Sequence, residues 1–143
     1  RALSNKNTLI VNAGTATTID LLGSNGVHYG GWILPGLALM QASLANNTAQ
    51  LDLATRSEHH GFGACTNDAI IGGCDAAQIG AILYALQQAK EMNIPVEKIW
   101  VDGGNAKILA KEIAQTNLPA KQLVEISEGL VLRGVWAWLL QNL

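Results

Sequence analysis

Three strand-like runs follow one another near the start of the chain, separated by only two short turns. Asn25-Gly26 in the second turn suits the positive φ angles of a tight hairpin, and Pro35-Gly36 ends the third run. Strands joined so closely pair with their neighbours in antiparallel fashion. The pattern therefore predicts a three-stranded antiparallel meander, with strands at residues 8–11, 17–22 and 27–34.

Helical and strand-like segments alternate in the rest of the chain. Apolar residues recur at helical spacing after Gly36, and a long stretch from 69 to about 92 has helical composition, with Asp68 as N-cap or first-turn acid. A strand at 98–101, a helix at 106–115, a strand at 123–126 and a helix at 129–143 follow. The order βββ-α-α-β-α-β-α predicts one α/β domain over residues 1–143, a mixed sheet with helices on its faces.

The segment 47–66 has neither helical nor strand periodicity and is predicted to be a loop. It contains His59-His60, which lacks a further set of metal-ligating residues and is interpreted as loop surface. Cys65 and Cys74 have no metal-binding spacing. Both are interpreted as reduced, small apolar residues of a cytosolic protein, because a free cysteine is usually buried.

The charge content limits the partners that the chain can have. The net charge is −2 and there is no cluster of Lys or Arg, which argues against a nucleic-acid partner. No apolar run approaches the roughly 20 residues of a membrane span, so we expect a cytoplasmic protein with no membrane partner. Charged residues make up only 14% of the chain, which predicts apolar surface facing a second copy or a further segment.

Two regions are predicted to form that surface. Gly73 and Gly80 fall on one side of the long helix, and each costs about 1 kcal/mol relative to Ala, so a close approach by another element is expected. The last helix is apolar almost all round and is expected to be buried on more than one side. The chain begins Arg1-Ala2-Leu3, without Met, and we expect it to be a fragment.

The first candidate for chemistry is Asn12-Ala13-Gly14-Thr15-Ala16-Thr17, at the turn between the first two runs. Gly14 leaves room for a ligand to approach the backbone. Free N–H groups and the hydroxyls of Thr15 and Thr17 can donate to phosphate oxygens. An ordinary hairpin with β-branched residues on either side is the alternative.

The second candidate is Asp102-Gly103-Gly104-Asn105, between the end of a strand and the start of a helix. Ligands of open α/β sheets bind at that position, and the helix N-terminus favours anions. The sequence matches neither the Walker A motif nor the dinucleotide fingerprint. A glycine-rich connection with an N-cap is the alternative, and Asp102 either reaches a metal-bound water or bonds local amides.

Together the two turns resemble the actin-like ATPase (ribonuclease H-like) fold, in which two halves clamp a nucleotide. The run Val-Asn-Ala-Gly-Thr-Ala-Thr-Thr-Ile-Asp at 11–20 is similar to the second phosphate motif of the type III pantothenate kinases, the family that includes the Bvg accessory factors. The resemblance extends from about residue 8 to the end and implies the carboxyl-terminal half of a two-domain kinase. Further matches lie at 30–37, 48–51, 65–70 and 103–104.

The resemblance implies ATP-dependent phosphorylation of pantothenate to 4'-phosphopantothenate, the first step of coenzyme A synthesis. It also implies Mg²⁺, a monovalent cation (K⁺ or NH₄⁺) and a homodimer. Gly14 and Thr15 would hold the ATP phosphates, and Gly103 and Gly104 would border the adenosine. Thr66 would contact pantothenate, across the dimer interface.

Two residues are candidate metal ligands, Asn12 by the same resemblance and Asp20 because it is a carboxylate. Asn12 falls in the monovalent-cation site, where the family usually has Asp, so it offers a neutral oxygen and no charge. Asp20 could orient Mg²⁺, with a solvated or capping acid as the alternative.

No catalytic residue is expected in this chain. The family's first phosphate motif and the Gly-x-Asp-Arg segment that supplies its catalytic base match nothing here, and the base is expected upstream of Arg1. The chain alone is therefore expected to be inactive. Two alternatives stay open: a non-catalytic relative similar to the accessory factors, and an actin-like-fold kinase for another small alcohol.

Overall fold

The computed structural model describes residues 5–47, 61–116 and 123–142. The order of strands and helices predicted from the sequence is confirmed. His59-His60 and the matched segment 48–51 lie outside the described residues. The elements are β1 (Thr8–Ala13), β2 (Ala16–Leu22), β3 (His28–Pro35), α1 (Leu37–Asn47), α2 (Thr66–Glu91), β4 (Lys98–Asp102), α3 (Ala106–Gln115), β5 (Val124–Ile126) and α4 (Leu130–Asn142).

The strands form one mixed sheet in the order β3-β2-β1-β4-β5. β2 runs antiparallel to β1 and β3, which confirms the predicted meander, and β4 runs parallel to β1 and β5. β1 therefore lies at the centre, with one antiparallel and one parallel neighbour. The carboxyl ends of β1 and β4 meet at one edge of the sheet, called the carboxyl edge below.

The two faces of the sheet differ in what covers them. Alternate residues of β1 and β4 are fully buried against α2 and α3, because side chains alternate between faces along a strand. We call this the helix-covered face. The opposite face, the open face, carries half-buried or exposed side chains. It includes Ile10, Asn12, Thr18, Asp20, Ile33, Trp100 and Asp102.

Helix α2 crosses the helix-covered face and supplies much of the core. Asp68 lies in its first turn, as predicted, after the N-cap residue Cys65. Trp32 of β3 stacks on Tyr84 of α2, with ring centroids 5.4 Å apart. The buried residues of α2 are Ile70, Ile71, Cys74, Asp75, Gln78, Ile82, Ala85 and Ala89.

By length and composition α2 could cross a membrane, and it is the one helix of the described chain for which this holds. The expectation that no such run exists is therefore wrong. It rested on uninterrupted apolar residues, whereas glycine, alanine and isolated polar residues still leave a high mean hydropathy. Because α2 packs along the sheet and buries both Asp75 and Gln78, we interpret it as a core helix.

The two cysteines lie in different environments. Both are free, as predicted, but Cys65 is exposed and only Cys74 is buried. Cys65 comes before the first turn of α2, where the chain has not yet reached the core. Burial raises the pKa of the Cys74 thiol, and the neighbouring Asp75 carboxylate raises it further.

The last helix does not follow its prediction. None of the described residues of α4 is buried, although the helix was expected to be buried on more than one side. Its first turn contacts the sheet: the guanidinium of Arg133 lies 5.9 Å from the ring centroid of Trp100 on the open face. The predicted exposure of apolar surface is confirmed. That a second copy or a further segment covers this surface stays a prediction. The exposed apolar side chains are Val131, Leu132, Val135, Trp136, Trp138, Leu139 and Leu140.

Candidate functional site

The first glycine turn joins β1 to β2 at the carboxyl edge. Gly14 and Thr15 connect the strands, and the Gly14 N–H donates to the Ala16 carbonyl at 3.1 Å. Thr15 is exposed and Gly14 is half-buried. The turn therefore leaves Thr15 accessible, as a phosphate-binding turn requires.

Thr17 is not placed as the sequence predicted. It is only 1% exposed and lies on the helix-covered face beside Ile19. Its predicted role as a phosphate donor is therefore not supported. Thr18 instead lies on the open face, where it pairs with Asn12 across the two strands. The alternation of side chains along β2 is the signal that could have distinguished Thr17 from Thr18.

The second glycine turn follows β4 at the same edge. Gly103 has a φ of +97°, a conformation that favours glycine. The Asp102 carboxylate accepts the Gly103 N–H at 2.7 Å and the Leu130 N–H, at the start of α4, at 2.5 Å. Of the two interpretations of Asp102, the one in which it bonds local amides is confirmed. Both of its oxygens are engaged by the backbone.

The two turns contact each other directly. The Asn105 N–H donates to the Ala13 carbonyl at 2.9 Å, so the second turn is bonded to the end of β1. A Cβ atom at Gly103 would lie 2.7 Å from both the Ala13 carbonyl oxygen and Asn12 Oδ1. The absence of a side chain at Gly103 thus permits the contact. Gly104, by contrast, is exposed, and no heavy atom of the described chain lies within 4 Å of where its Cβ would be.

A third glycine, missed as a site residue in the sequence, closes the other side of the first turn. The buried Gly36 donates its N–H to the Thr15 carbonyl at 2.9 Å. A Cβ at Gly36 would overlap the Gly14 carbonyl oxygen and lie 2.6 Å from the Thr15 oxygen. The sequence pattern identified Pro35-Gly36 as the end of a strand and as part of the family match at 30–37, with no role at the site. Its place directly before a helix gave no indication that β3 would return to this turn.

Asp20 lies away from the turns. It pairs with Ile10 in the register of β1 and β2, three residues before the strand end at Ala13, or about 10 Å along the strand. Its carboxylate lies 2.8 Å from His28 Nε2 on the neighbouring strand. The structure therefore does not bring Asp20 to the two glycine turns, and its role toward Mg²⁺ stays a prediction without a supporting contact.

Thr66 is the first residue of α2 and is exposed. The helix contacts the turn region at Gln78, which binds the carbonyl of Pro35. Twelve residues separate Thr66 from Gln78, or about 18 Å of helix. The amino-terminal part of α2 therefore extends past the carboxyl edge, and Thr66 is not in the cluster formed by the turns.

The donors near the turns do not form a divalent-metal site by themselves. In the described ranges no group of three or more His, Cys, Asp or Glu side chains is placed to hold a metal ion. Asp102 is engaged by two backbone N–H groups. Asn12 Oδ1 lies beside Gly103 and can contribute a neutral oxygen to a monovalent cation.

Comparison with known proteins identifies the family. The model of the family described as type III pantothenate kinase matches residues 1–88. A type III pantothenate kinase from Colwellia psychrerythraea is 38% identical over 134 residues, which cover 91% of this chain and 53% of that protein. The chain spans about half the length of this curated relative.

Two solved structures are similar to the fold. A conserved Baf family protein from Campylobacter jejuni is 25% identical, with a TM-score of 0.66 over 96% of this chain and 59% of that one. The apo psk41 ParM protein is 14% identical, with a TM-score of 0.52 over 99% of this chain and 44% of that one. The ParM likeness concerns the fold alone and supports the actin-like class expected from the sequence. The family model matches more than half of this chain, and the chain therefore belongs to the type III pantothenate kinase family.

Proposed function

We propose that the complete polypeptide containing this chain transfers the γ-phosphoryl group of ATP to the primary hydroxyl of pantothenate, in the cytoplasm. The chain is the carboxyl-terminal half of a two-domain, homodimeric kinase, and the catalytic base comes from outside residues 1–143. Family membership supports the reaction class. The single structural observation that carries the proposal is the direct contact of two glycine turns at the ends of two adjacent strands.

That contact suits phosphoryl transfer because the reaction depends mainly on positioning and on neutralising charge. Gly14 and Thr15 are proposed to hold the ATP phosphates. Thr15 would do so through its hydroxyl, and Gly14 by leaving room for the phosphates beside the backbone, since its own N–H donates to the Ala16 carbonyl. Gly103 and Gly104 border the adenosine, since the exposed Gly104 leaves the second turn open to a flat ligand. The bond between Asn105 and Ala13 keeps these two parts of the nucleotide site at a fixed separation.

The remaining assignments follow from the family rather than from contacts in this chain. Thr66 is proposed to contact pantothenate from the end of α2, across the homodimer interface. Mg²⁺ is proposed to arrive with the ATP phosphates, which commonly supply its ligands in kinases. Asn12 is proposed to contribute to a site for K⁺ or NH₄⁺, with weaker cation dependence than an Asp would give.

The decisive experiment incubates the complete polypeptide with ATP, Mg²⁺ and pantothenate at varied K⁺ and NH₄⁺, and measures 4'-phosphopantothenate by mass spectrometry. Thr15→Val is expected to lower kcat/KM for ATP at least about tenfold, because a hydrogen bond to a charged group is worth about 1.5–3 kcal/mol. Ser24→Ala, in the exposed turn between β2 and β3, is the matched control and should change nothing. Absence of product under every cation condition would overturn the proposal.

Two observations favour a second candidate, a binding protein without transferase activity. The Campylobacter jejuni neighbour is described as a candidate transcriptional activator, and Asn12 replaces the acid that the family usually has. This candidate predicts that ATP binds, in isothermal titration calorimetry, without product formation from pantothenate. Product from a different small alcohol would instead indicate a kinase of altered specificity.

A further inference from the structure

Helix α2 buries an amide side chain at the middle of its length. Gln78 is 0% exposed, and its Nε2 group donates to the Pro35 carbonyl at 2.7 Å and contacts the Met40 sulfur at 3.2 Å. The two N–H bonds of the amide thus engage both ends of the junction between β3 and α1, since Pro35 ends the strand and Met40 lies in the first turn of the helix. The Pro35 carbonyl can only accept a hydrogen bond, so it must face the amide nitrogen of Gln78 and not the amide oxygen. This fixes the orientation of the amide.

The oxygen of the same amide is not stabilised by its burial. Gln78 Oε1 is buried and has no hydrogen-bond partner among the residues that the structure describes. Burial of an unpartnered carbonyl is unfavourable, and an apolar side chain of the same size would avoid it. The presence of Gln at this position is therefore better explained by its donated bonds than by core packing.

The residue next to Pro35 leads from Gln78 to the candidate site. Gly36 donates to the Thr15 carbonyl and lies against the Gly14 carbonyl with no room for a Cβ. The Gly36 carbonyl in turn accepts the Met40 N–H at 2.9 Å. Any shift of the Pro35-Gly36 junction is thus transmitted to the first glycine turn through backbone contacts alone.

We propose, resting on the proposed function, that Gln78 is a positioning residue for the phosphate-binding turn. By fixing the Pro35 carbonyl it holds Gly36 against Gly14 and Thr15, so that the turn keeps the conformation that ATP binds. Gln78 lies in the core and does not touch the nucleotide. Its effect is on ATP and on the transfer step rather than on pantothenate.

The first test replaces the amide by an apolar side chain of similar size, Gln78→Met, in the complete polypeptide. Gln87→Met on the same helix is the matched control, because Gln87 is exposed and bonds only Glu91 among the contacts described. Hydrogen exchange by mass spectrometry should show faster exchange of the Gly36 and Gly14 amides in Gln78→Met than in the control. Exchange in β4 should stay unchanged, which separates a local effect from general destabilisation.

The kinetic test uses the same pair of variants. Gln78→Met is expected to lower kcat/KM for ATP about tenfold, because small displacements of positioning groups reduce rates strongly. The KM for pantothenate should stay within about twofold. A KM for pantothenate that rises beyond about twofold, or no loss of kcat/KM for ATP, would contradict a positioning role at the phosphate-binding turn.

A second variant covers the case in which Gln78→Met folds poorly. Gln78→Glu keeps the shape, but an ionised carboxylate repels the Pro35 carbonyl, whereas the protonated acid donates to it. Because burial raises the pKa of a carboxyl group, kcat/KM for ATP, relative to the unsubstituted protein, should recover as the pH falls from about 8 to 6. A ratio that stays low over this whole pH range overturns the proposal.

The exchange measurement also separates this proposal from the proposed function. If the unsubstituted protein makes no phosphopantothenate, the kinase assignment fails, and the support of the turn by Gln78 is decided by exchange alone. If the protein is an active kinase and Gly36 exchanges equally in Gln78→Met and Gln87→Met, only the positioning role fails.

Discussion

The glycines at the carboxyl edge differ in their contacts from those within α2, although the residue type is the same. Gly36 and Gly103 are pressed against backbone atoms, and a Cβ at either position would lie inside normal contact distance. Gly73 and Gly80 face open space, with no described heavy atom within 4 Å of an added Cβ. Among the residues that the structure describes, contacts require glycine in the first of these two pairs and not in the second.

The difference shows where the fold depends on close contact between backbone segments. At the edge, three backbone segments meet at one turn, and glycine is the residue that allows such an approach. In α2, no described residue makes the close approach predicted for Gly73 and Gly80. The prediction therefore now concerns contacts with segments outside the described residues. Substitutions can test both halves of the comparison.

The largest effect is expected for Gly36→Ala. Its Cβ would overlap the Gly14 and Thr15 carbonyl groups, which cannot move without disrupting the turn. We expect a loss of about 3 kcal/mol in the free energy of unfolding, measured by urea titration, since overpacking typically costs 1–3 kcal/mol and here the obstacle is backbone. A loss below about 1 kcal/mol would show that the turn adapts and would weaken the comparison.

Gly103→Ala is expected to cost somewhat less, about 2 kcal/mol. The penalty combines a left-handed φ, worth about 1–2 kcal/mol, with contacts at 2.7 Å to Ala13 and Asn12. Gly104→Ala is the control, because space is open there, and should stay within about 0.5 kcal/mol. Equal effects of the two substitutions, in the same urea titration, would contradict the steric interpretation.

Asp102→Asn should cost about 1 kcal/mol, comparable to the loss of a helix cap. An amide presents one acceptor instead of two, so either the Gly103 or the Leu130 N–H loses its partner. Thermal unfolding followed by circular dichroism measures the change. If stability is unaffected, the bond to the start of α4 contributes little to the fold.

The smallest effect, and the one of opposite sign, is expected for Gly73→Ala. An open position within a helix gains about 0.5–1 kcal/mol from Ala, because glycine loses more conformational freedom on folding. Urea titration of this chain should show the increase. Destabilisation of the complete polypeptide by the same change would reveal a partner segment packed at Gly73 and sharpen the comparison.

The sequence predicted the architecture well because hydrophobic periodicity and turn residues are local signals. The order of all nine elements, the meander and the position of both glycine turns are confirmed. Asp68 was also placed correctly, because a first-turn acid is favoured by the helix dipole.

Non-local contacts explain two of the differences between prediction and structure. Gly36 was identified as a strand end within a family match, not as a site residue, because its contact with Thr15 depends on β3 returning along β2. The assignment of Thr17 failed for a local reason, since side-chain alternation along β2 places Thr17 on the buried face. The burial expected for α4 failed because composition tells how apolar a helix is, not which surface reaches it.

The parallel pairing of β1 with β4 has a consequence for how the protein matures during synthesis. Thr8 pairs with Leu22 in one direction and with Lys98 in the other, so β1 meets its first neighbour almost at once and its second only after most of the chain has been translated. A hairpin can form from nearby residues early, whereas pairing between distant segments is slow. A nascent chain stalled before β4 would therefore carry the first turn without its counterpart and leave one long side of β1 unpaired, open to association with other strands.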